Sequence, residues 1–235
     1  MMRPVTTPRP WTVLHPGPLT PRGEGLWTID DQVPGLPGAT RRMTIVRRRD
    51  GSLLFYNAVP VPEEVLRQIR ALGPPAQLVL PNALHALDAA AFALKLNVTA
   101  YAPEVAVAAL AARLPCQPIS ALPLEEGLRV FTVDGFRTRE AVLLVGDTLL
   151  VGDLVTNAPH GRGVVGLLMR LVGFTGPEPK LPRPVRKRVE VDTAAVQALF
   201  RTLSDQPGLA RIIPSHGDVM DRDAAALLRH LASSL

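Results

Sequence analysis

The sequence is poor in cysteine, with Cys116 as the only one among 235 residues. A lone cysteine excludes an intrachain disulfide, and it also excludes a zinc cluster held by several thiolates. A protein with neither a disulfide nor a thiolate zinc cluster is typical of a reducing compartment. We therefore expect a cytoplasmic protein in which Cys116 is a small buried apolar residue.

The sequence also lacks long apolar runs. None approaches the roughly 20 residues that a helix needs to cross a bilayer. Prolines interrupt residues 1–21, so this segment does not have the continuous apolar core of a secretory signal. We expect no membrane partner.

Aromatic residues make up only 4% of the chain, and none lies within the basic run 183–188, RPVRKR. Nucleic-acid surfaces usually interleave aromatic and basic side chains. The net charge of +5 would permit such a partner, but the other basic residues are scattered. The pattern favours a solvated basic loop, and a nucleic-acid-processing hydrolase remains an alternative.

Apolar residues are plentiful at 47%, enough for a substantial core in one domain. Residues 1–24 lack periodicity and predict an extended arm, followed by a single domain over 25–235. The chain opens with antiparallel strands and then alternates helix and strand, which predicts sheets covered by helices. The predicted strands are 26–30, 43–48, 53–59, 77–80, 98–102, 128–133, 141–145, 149–151 and 210–213. The predicted helices are 62–72, 86–96, 104–114, 164–172, 193–203 after the cap Asp192, and a last one from the cap Asp221 to about Leu231.

Each of two predicted buried strands is followed by a residue whose side chain can bind a ligand or take part in catalysis. The hairpin over 141–151 ends in Gly152-Asp153, and the strand 210–213 is followed by Pro214-Ser215-His216-Gly217. Open sheets place their ligands at such strand ends. One end offers a carboxylate and the other an imidazole, so Asp153 and His216 are the first candidate site residues.

A third loop, 80–85, also follows a predicted strand, and the three loops together resemble the metallo-β-lactamase superfamily over residues 26–235. Gly152-Asp153 matches the family's bridging carboxylate, and Pro214-Ser215-His216-Gly217 matches its final His. The resemblance implies an α/β (α+β) fold, a four-layer αββα metallo-β-lactamase-like sandwich. The Asn82-x-x-His85 spacing is also similar to one branch of that superfamily, for which the resemblance implies no activity.

The family's first motif, His-x-His-x-Asp-His, is eroded here. Aligned on the strand 98–101, His85 falls on the last His of the motif and Leu84 on its Asp. Asn82 falls on the second His and Leu80 on the first, while Phe136 takes the place of the middle His of the family. Leucine and phenylalanine cannot bind a metal, and we expect them to fill the space of the lost site.

The resemblance therefore implies one remaining metal site at His85, Asp153 and His216. Two imidazoles and a carboxylate suit one divalent ion, zinc or iron, with open positions for water or substrate. The expected function is a metal-dependent hydrolase of a small molecule whose identity the sequence does not indicate. Asp153 would hold the metal and position its water, the two His would set its Lewis acidity, and Asn82 would touch substrate or water.

The alternative is a pseudo-enzyme, a non-catalytic binding module on the same fold. Individual residues also have purely structural interpretations. His85 could cap the next helix, Asp153 could bond the amides of its own loop, and Asn82 could fix its loop. Asp218 could orient His216 or end the turn, and His160 could be a substitute ligand.

Overall fold

The structure is a computed structural model that describes residues 9–36, 39–158, 170–171, 173, 175–183 and 191–235. The described residues form two compact units. The first takes its residues from Met1–Asp31 and Arg42–Pro123, the second from Gln32–Arg41 and Leu124–Leu235. Each unit has its own apolar core. The description of residues 25–235 as one domain stays a prediction.

A seven-stranded sheet contains most of the strand residues of the first unit, and its strands follow one another in chain order. Three residues at the ends of its second and third strands, Gln32, Thr40 and Arg41, belong to the second unit. The strands are β1 Thr20–Gly23, β2 Leu26–Gln32, β3 Thr40–Arg47, β4 Leu53–Tyr56, β5 Pro75–Val79, β6 Thr99–Ala102 and β7 Cys116–Pro118. Strands β3 and β4 form an antiparallel hairpin, and the loop between them contains Asp50-Gly51, a common turn sequence. Strands β4 to β7 pair in parallel. Parallel neighbours need crossover connections, and three helices supply them: α1 Glu63–Leu72, α2 Ala89–Leu96 and α3 Glu104–Leu110.

The second unit contains a four-stranded sheet, in the order β11-β10-β9-β8. Its strands are β8 Leu128–Thr132, β9 Ala141–Val145, β10 Thr148–Val151 and β11 Arg211–Pro214, and its helices are α4 Thr193–Ser204 and α5 Ala224–Ser234. The predicted hairpin is confirmed, because β9 and β10 pair antiparallel with Thr148 opposite Val145. Strand β10 also pairs in parallel with β11, and Val151 lies opposite Pro214.

Within the predicted arm 1–24, β1 pairs with β2 and the Trp11 indole donates a hydrogen bond to the Val61 carbonyl. One local prediction is wrong. Asp221 does not cap the last helix; it forms an ion pair with Arg211, and α5 begins after Asp223. Strand β7 has no predicted counterpart.

Two predicted features fall largely on residues that are not described. The helix 164–172 lies outside the described residues except at 170–171, which are helical. The basic run is described only at its first residue, Arg183. Among the described residues, no helix has the length and apolarity needed to cross a membrane.

Candidate metal centre

Asp153 and His216 meet at one edge of the four-stranded sheet. The last paired residues of β10 and β11 are Val151 and Pro214, so the two loops leave the sheet side by side. The amide of Ser215 donates to the Val151 carbonyl at 2.8 Å and continues the pairing. Asp153 Oδ1 lies 3.6 Å from His216 Nε2 in a cluster of candidate metal ligands. The pairing of parallel strands thus brings together two of the predicted ligands.

The separation of these two atoms is informative. At 3.6 Å it exceeds the roughly 2.7–3.2 Å of a hydrogen bond between nitrogen and oxygen. Two ligands of one tetrahedral zinc, each bonded at about 2.1 Å, lie about 3.4 Å apart. The observed distance is therefore closer to that of two ligands around a shared cation than to that of a hydrogen-bonded pair.

The ring of His216 is held by a backbone carbonyl. Its Nδ1 lies 2.7 Å from the carbonyl oxygen of Thr40, which also belongs to the second unit. A carbonyl can only accept, so Nδ1 carries the hydrogen and donates it. In the neutral ring the lone pair is then on Nε2, the atom nearer Asp153. Metal-binding histidines commonly have this arrangement.

Asp218 does not provide that orientation. It is exposed, and its backbone amide donates to the carbonyl of Asn157. The Nδ1 atom of His216 has Thr40 as its partner instead. Thr40 could not be found from the sequence, because any residue can supply a backbone carbonyl.

The loop that carries Asp153 is organised by Glu140, a fully buried residue next to the start of β9. The Glu140 carboxylate accepts hydrogen bonds from the amides of Gly152, Asp153 and Leu154, at 2.8, 2.7 and 3.3 Å. These three amides are therefore bound by Glu140 rather than by Asp153. Sequence reasoning missed Glu140, although an acidic residue beside a buried strand was a usable signal.

Asn82 and His85 share one turn of the first unit. A 3₁₀ turn runs from Ala83 to His85, and Asn82 caps it by accepting from the Leu84 amide at 2.8 Å. The His85 amide approaches the Asn82 carbonyl at 3.2 Å. Asn82 thus fixes its loop, one of its two interpretations. The N-cap of α2 is Asp88, so His85 does not cap that helix.

The three apolar residues at positions where the family has metal ligands differ in their burial. Leu80 is buried in the core of the first unit, and Phe136 is buried in the core of the second. Leu84 is 39% exposed, so the expectation that it fills a lost metal site is wrong. Leu84 lies within the 3₁₀ turn Ala83–His85, where its side chain is accessible.

Two other residues, His160 and Cys116, carry atoms that can bind a metal. His160 lies outside the described residues, so its role as a substitute ligand stays a prediction. Cys116 is only partly buried, and burial raises the pKa of its thiol above the ordinary value. A neutral thiol is a poor ligand and a poor nucleophile, so Cys116 adds no chemistry.

By sequence, the chain matches no family model and no curated protein. By structure, it is similar to the metallo-β-lactamase from Hirschia baltica, with 13% identity and a TM-score of 0.63 over 92% of this chain and 98% of that one. It is also similar to the metallo-β-lactamase FIM-1 from Pseudomonas aeruginosa in its mono-zinc form, with 15% identity and a TM-score of 0.60 over 92% and 96%. A third neighbour is the metallo-β-lactamase from Pontibacter korlensis, with 15% identity and a TM-score of 0.61 over 92% and 99%. At these identities the likeness is one of fold.

Proposed function

We propose that this chain, which has the metallo-β-lactamase fold, is a metal-dependent hydrolase with one divalent ion, zinc or iron. Asp153 and His216 would be two of the ligands. His85 would be the third, because the loop 80–85 resembles the ligand loop of the superfamily. The substrate would be a small molecule, and the lone cysteine favours a cytoplasmic location.

The observation that carries the proposal is the pair formed by Asp153 and His216. The donor set suits the ion, because imidazole nitrogen and carboxylate oxygen are ligands that both zinc and iron(II) accept. The surroundings suit it as well. The Thr40 carbonyl leaves the Nε2 lone pair of His216 available on the side of Asp153, and Glu140 fixes the backbone that presents Asp153.

In this proposal, a bound metal would supply Lewis acidity and would lower the pKa of a water molecule to near 7. Asp153 adds the negative charge that two neutral imidazoles lack. His216 keeps its proton on Nδ1, in the hydrogen bond to Thr40, so Nε2 stays free of it. Asn82, whose Oδ1 accepts from the Leu84 amide, would touch substrate or water.

The experiment is elemental analysis of protein purified without chelator, followed by reloading with zinc or iron(II). We expect close to one metal per chain in the parent and far less in Asp153→Asn. The control is Asp218→Asn, which removes the same charge from an exposed residue two positions after His216. Equal metal content in both variants would contradict the assignment of Asp153.

Catalysis is tested separately, on protein loaded with one metal. The proposal expects hydrolysis of at least one ester, amide or phosphoester substrate in a panel, with loss of turnover in Asp153→Asn. A metal-loaded protein that binds ligands but turns over none of them would instead be the non-catalytic binding module. A steep salt dependence of nucleic-acid binding would favour the nucleic-acid-processing alternative.

A further inference from the structure

A cavity of about 780 Å³ in the first unit is lined by none of the candidate metal ligands. Its lining residues come from three segments, 9–11, 90–98 and 113–115, all of which belong to the first unit. Small-molecule sites in proteins have volumes of roughly 300–1,000 Å³. The cavity is therefore large enough for a small organic molecule.

The N-terminal arm forms one wall of the cavity and is fixed by two of its side chains. The Trp11 indole donates to the Val61 carbonyl at 3.2 Å, and its ring stacks on Phe92 with the ring centroids 5.9 Å apart. Arg9 Nε lies 3.7 Å from Oδ1 of Asp88, whose side chain is fully buried. Because Asp88 is the N-cap of α2 and Phe92 lies within it, these contacts attach the arm to that helix.

Most of the lining is apolar. Ala90 and Ala93 of α2 contribute only methyl groups, and the buried residues Val98 and Leu114 add branched side chains. Leu94 also lines the cavity, and 85% of it is exposed to solvent. A bound apolar group would remove this surface from water, which is favourable. The lining therefore favours a ligand with an apolar body.

Three cationic side chains line the same cavity, and none of the described residues that line it is acidic. Lys95 forms an ion pair with Glu63, and Arg9 forms one with Asp88. Arg113 has no ion pair with any described residue. Carboxylates outside the lining thus offset two of the three positive charges and leave one.

These cations adjoin the apolar lining. The Lys95 ammonium group lies 5.8 Å from the centroid of the Trp11 ring, within the range of a cation–π interaction. Arg113 directly precedes the buried Leu114, and both line the cavity. Long cationic side chains commonly place an apolar stem along such a surface and keep the charge at its edge. The cavity thus combines an apolar surface with an excess of one positive charge.

We propose that this cavity binds a small apolar monocarboxylate, such as a medium-chain fatty acid. The apolar body would cover the lining, and the carboxylate would match the charge of Arg113 in a charge-assisted hydrogen bond. An alcohol of the same length lacks the negative charge, so the lining discriminates between the two. The site needs no metal and does not rest on the proposed function.

The test is titration of Trp27→Phe with decanoate, followed by tryptophan fluorescence and by calorimetry. The chain has two tryptophans, so in this variant the fluorescence comes from Trp11 alone, on the cavity wall. We expect saturable binding of one decanoate per chain. Affinity should rise about threefold for each methylene from hexanoate to decanoate, because each added group is buried. Decanol should bind about tenfold more weakly than decanoate.

Charge recognition is tested at Arg113. Arg113→Gln should weaken decanoate binding about tenfold and leave decanol binding unchanged, since only the charge-assisted contact is lost. Arg113→Lys keeps the charge and should retain most of the affinity. The matched control is Arg201→Gln, at an exposed residue of α4 outside the cavity, which should change neither affinity.

The apolar lining is tested at Ala91, which lies on α2 and lines the cavity. Ala91→Leu should weaken the binding of both decanoate and decanol, because the larger side chain occupies part of the space. Its control is Ala108→Leu, at an exposed position of α3 outside the lining. Leucine is a good helix former, so both variants should fold.

Absence of saturable decanoate binding would overturn the proposal. Equal affinities for decanol and decanoate would also overturn it, as would equal losses in Arg113→Gln and Arg201→Gln. Binding to anionic lipid vesicles without binding of monomeric decanoate would indicate a membrane-binding surface instead. Since no metal is needed, failure here leaves the metal centre standing, and failure to bind metal leaves this site standing.

Discussion

Glu140 and Asp153 are joined by a hydrogen bond of 2.7 Å, in which the buried Glu140 carboxylate accepts from the Asp153 amide. The same carboxylate also accepts from the amides on either side. One side chain thus holds the backbone that presents the acidic candidate ligand. Glu140 is a positioning residue, since it acts on the site through Asp153.

Glu140→Gln keeps the shape and removes the charge. Bonds to a charged acceptor are worth about 1.5–3 kcal/mol, so we expect the free energy of unfolding in urea to fall by about that amount. Zinc affinity should fall too, because the Asp153 loop is less well fixed. Glu126→Gln, at an exposed acidic residue, is the control for both measurements. Unchanged zinc affinity in Glu140→Gln would mean that the loop does not depend on this carboxylate.

Saturating zinc should stabilise the parent but not Asp153→Asn. A ligand that binds only the native state contributes about 2.7 kcal/mol at a hundredfold excess over Kd. For a chain of this size that corresponds to a rise in Tm of about 5–10 °C. Thermal unfolding of both proteins with and without zinc measures it, with Asp218→Asn as the control. The same shift in parent and Asp153→Asn would place the metal elsewhere.

Gly217→Ala should disrupt the loop that carries His216. Gly217 has a φ of 87°, and a Cβ there would overlap the carbonyl oxygen of Asn157. We expect a loss of stability greater than the roughly 1–2 kcal/mol of an unfavourable φ, together with weaker zinc binding. Gly146→Ala is the matched control, because Gly146 has a φ of 58° and no atom within 4 Å of a Cβ. It should lose stability only, and zinc titration of the two variants separates the effects.

Arg183→Gln should raise the pKa of Lys180. Burial, Arg183 and Arg170 lower that pKa in the folded protein, and the substitution removes one of the two neighbouring charges. Between the lowered folded pKa and the ordinary value of 10.5, the unfolded chain binds more protons at this residue than the folded one. This residue therefore makes stability rise with pH in that window, and the rise should be smaller in Arg183→Gln. NMR titration of the lysine side chain reports the shift, and Arg201→Gln should leave it unchanged.

The strands and helices that carry the candidate site could be predicted because their signals are local. The runs 141–145 and 149–151 around Gly146-Asp147-Thr148 predict a hairpin, and the structure has β9 and β10 there. Asp192 predicts a helix start, and its side chain accepts from the Ala195 amide. Residues adjacent in the chain are enough to specify such features.

Two other predictions, for Asp221 and Leu84, are wrong because a contact that the sequence pattern does not indicate determines the local structure. Asp221 precedes an apolar helical pattern, as a cap would, but Arg211 on a neighbouring segment takes its carboxylate. Leu84 was expected to be buried, yet the cap that Asn82 forms turns the loop and leaves Leu84 accessible. A local preference, such as that of Asp for a helix N-cap, does not determine the structure where a tertiary contact is more favourable.

The sequence by itself determined which residues could bind a metal, since Asp153 and His216 follow buried strands and carry the required atoms. Only the tertiary structure decided how they are held. The parallel pairing of β10 and β11 brings the two side chains within 3.6 Å. The ring of His216 is oriented by a carbonyl 176 residues away, at Thr40. Such partners leave no trace in a local pattern, because a backbone carbonyl is the same at every residue and only the folded chain brings it to its donor.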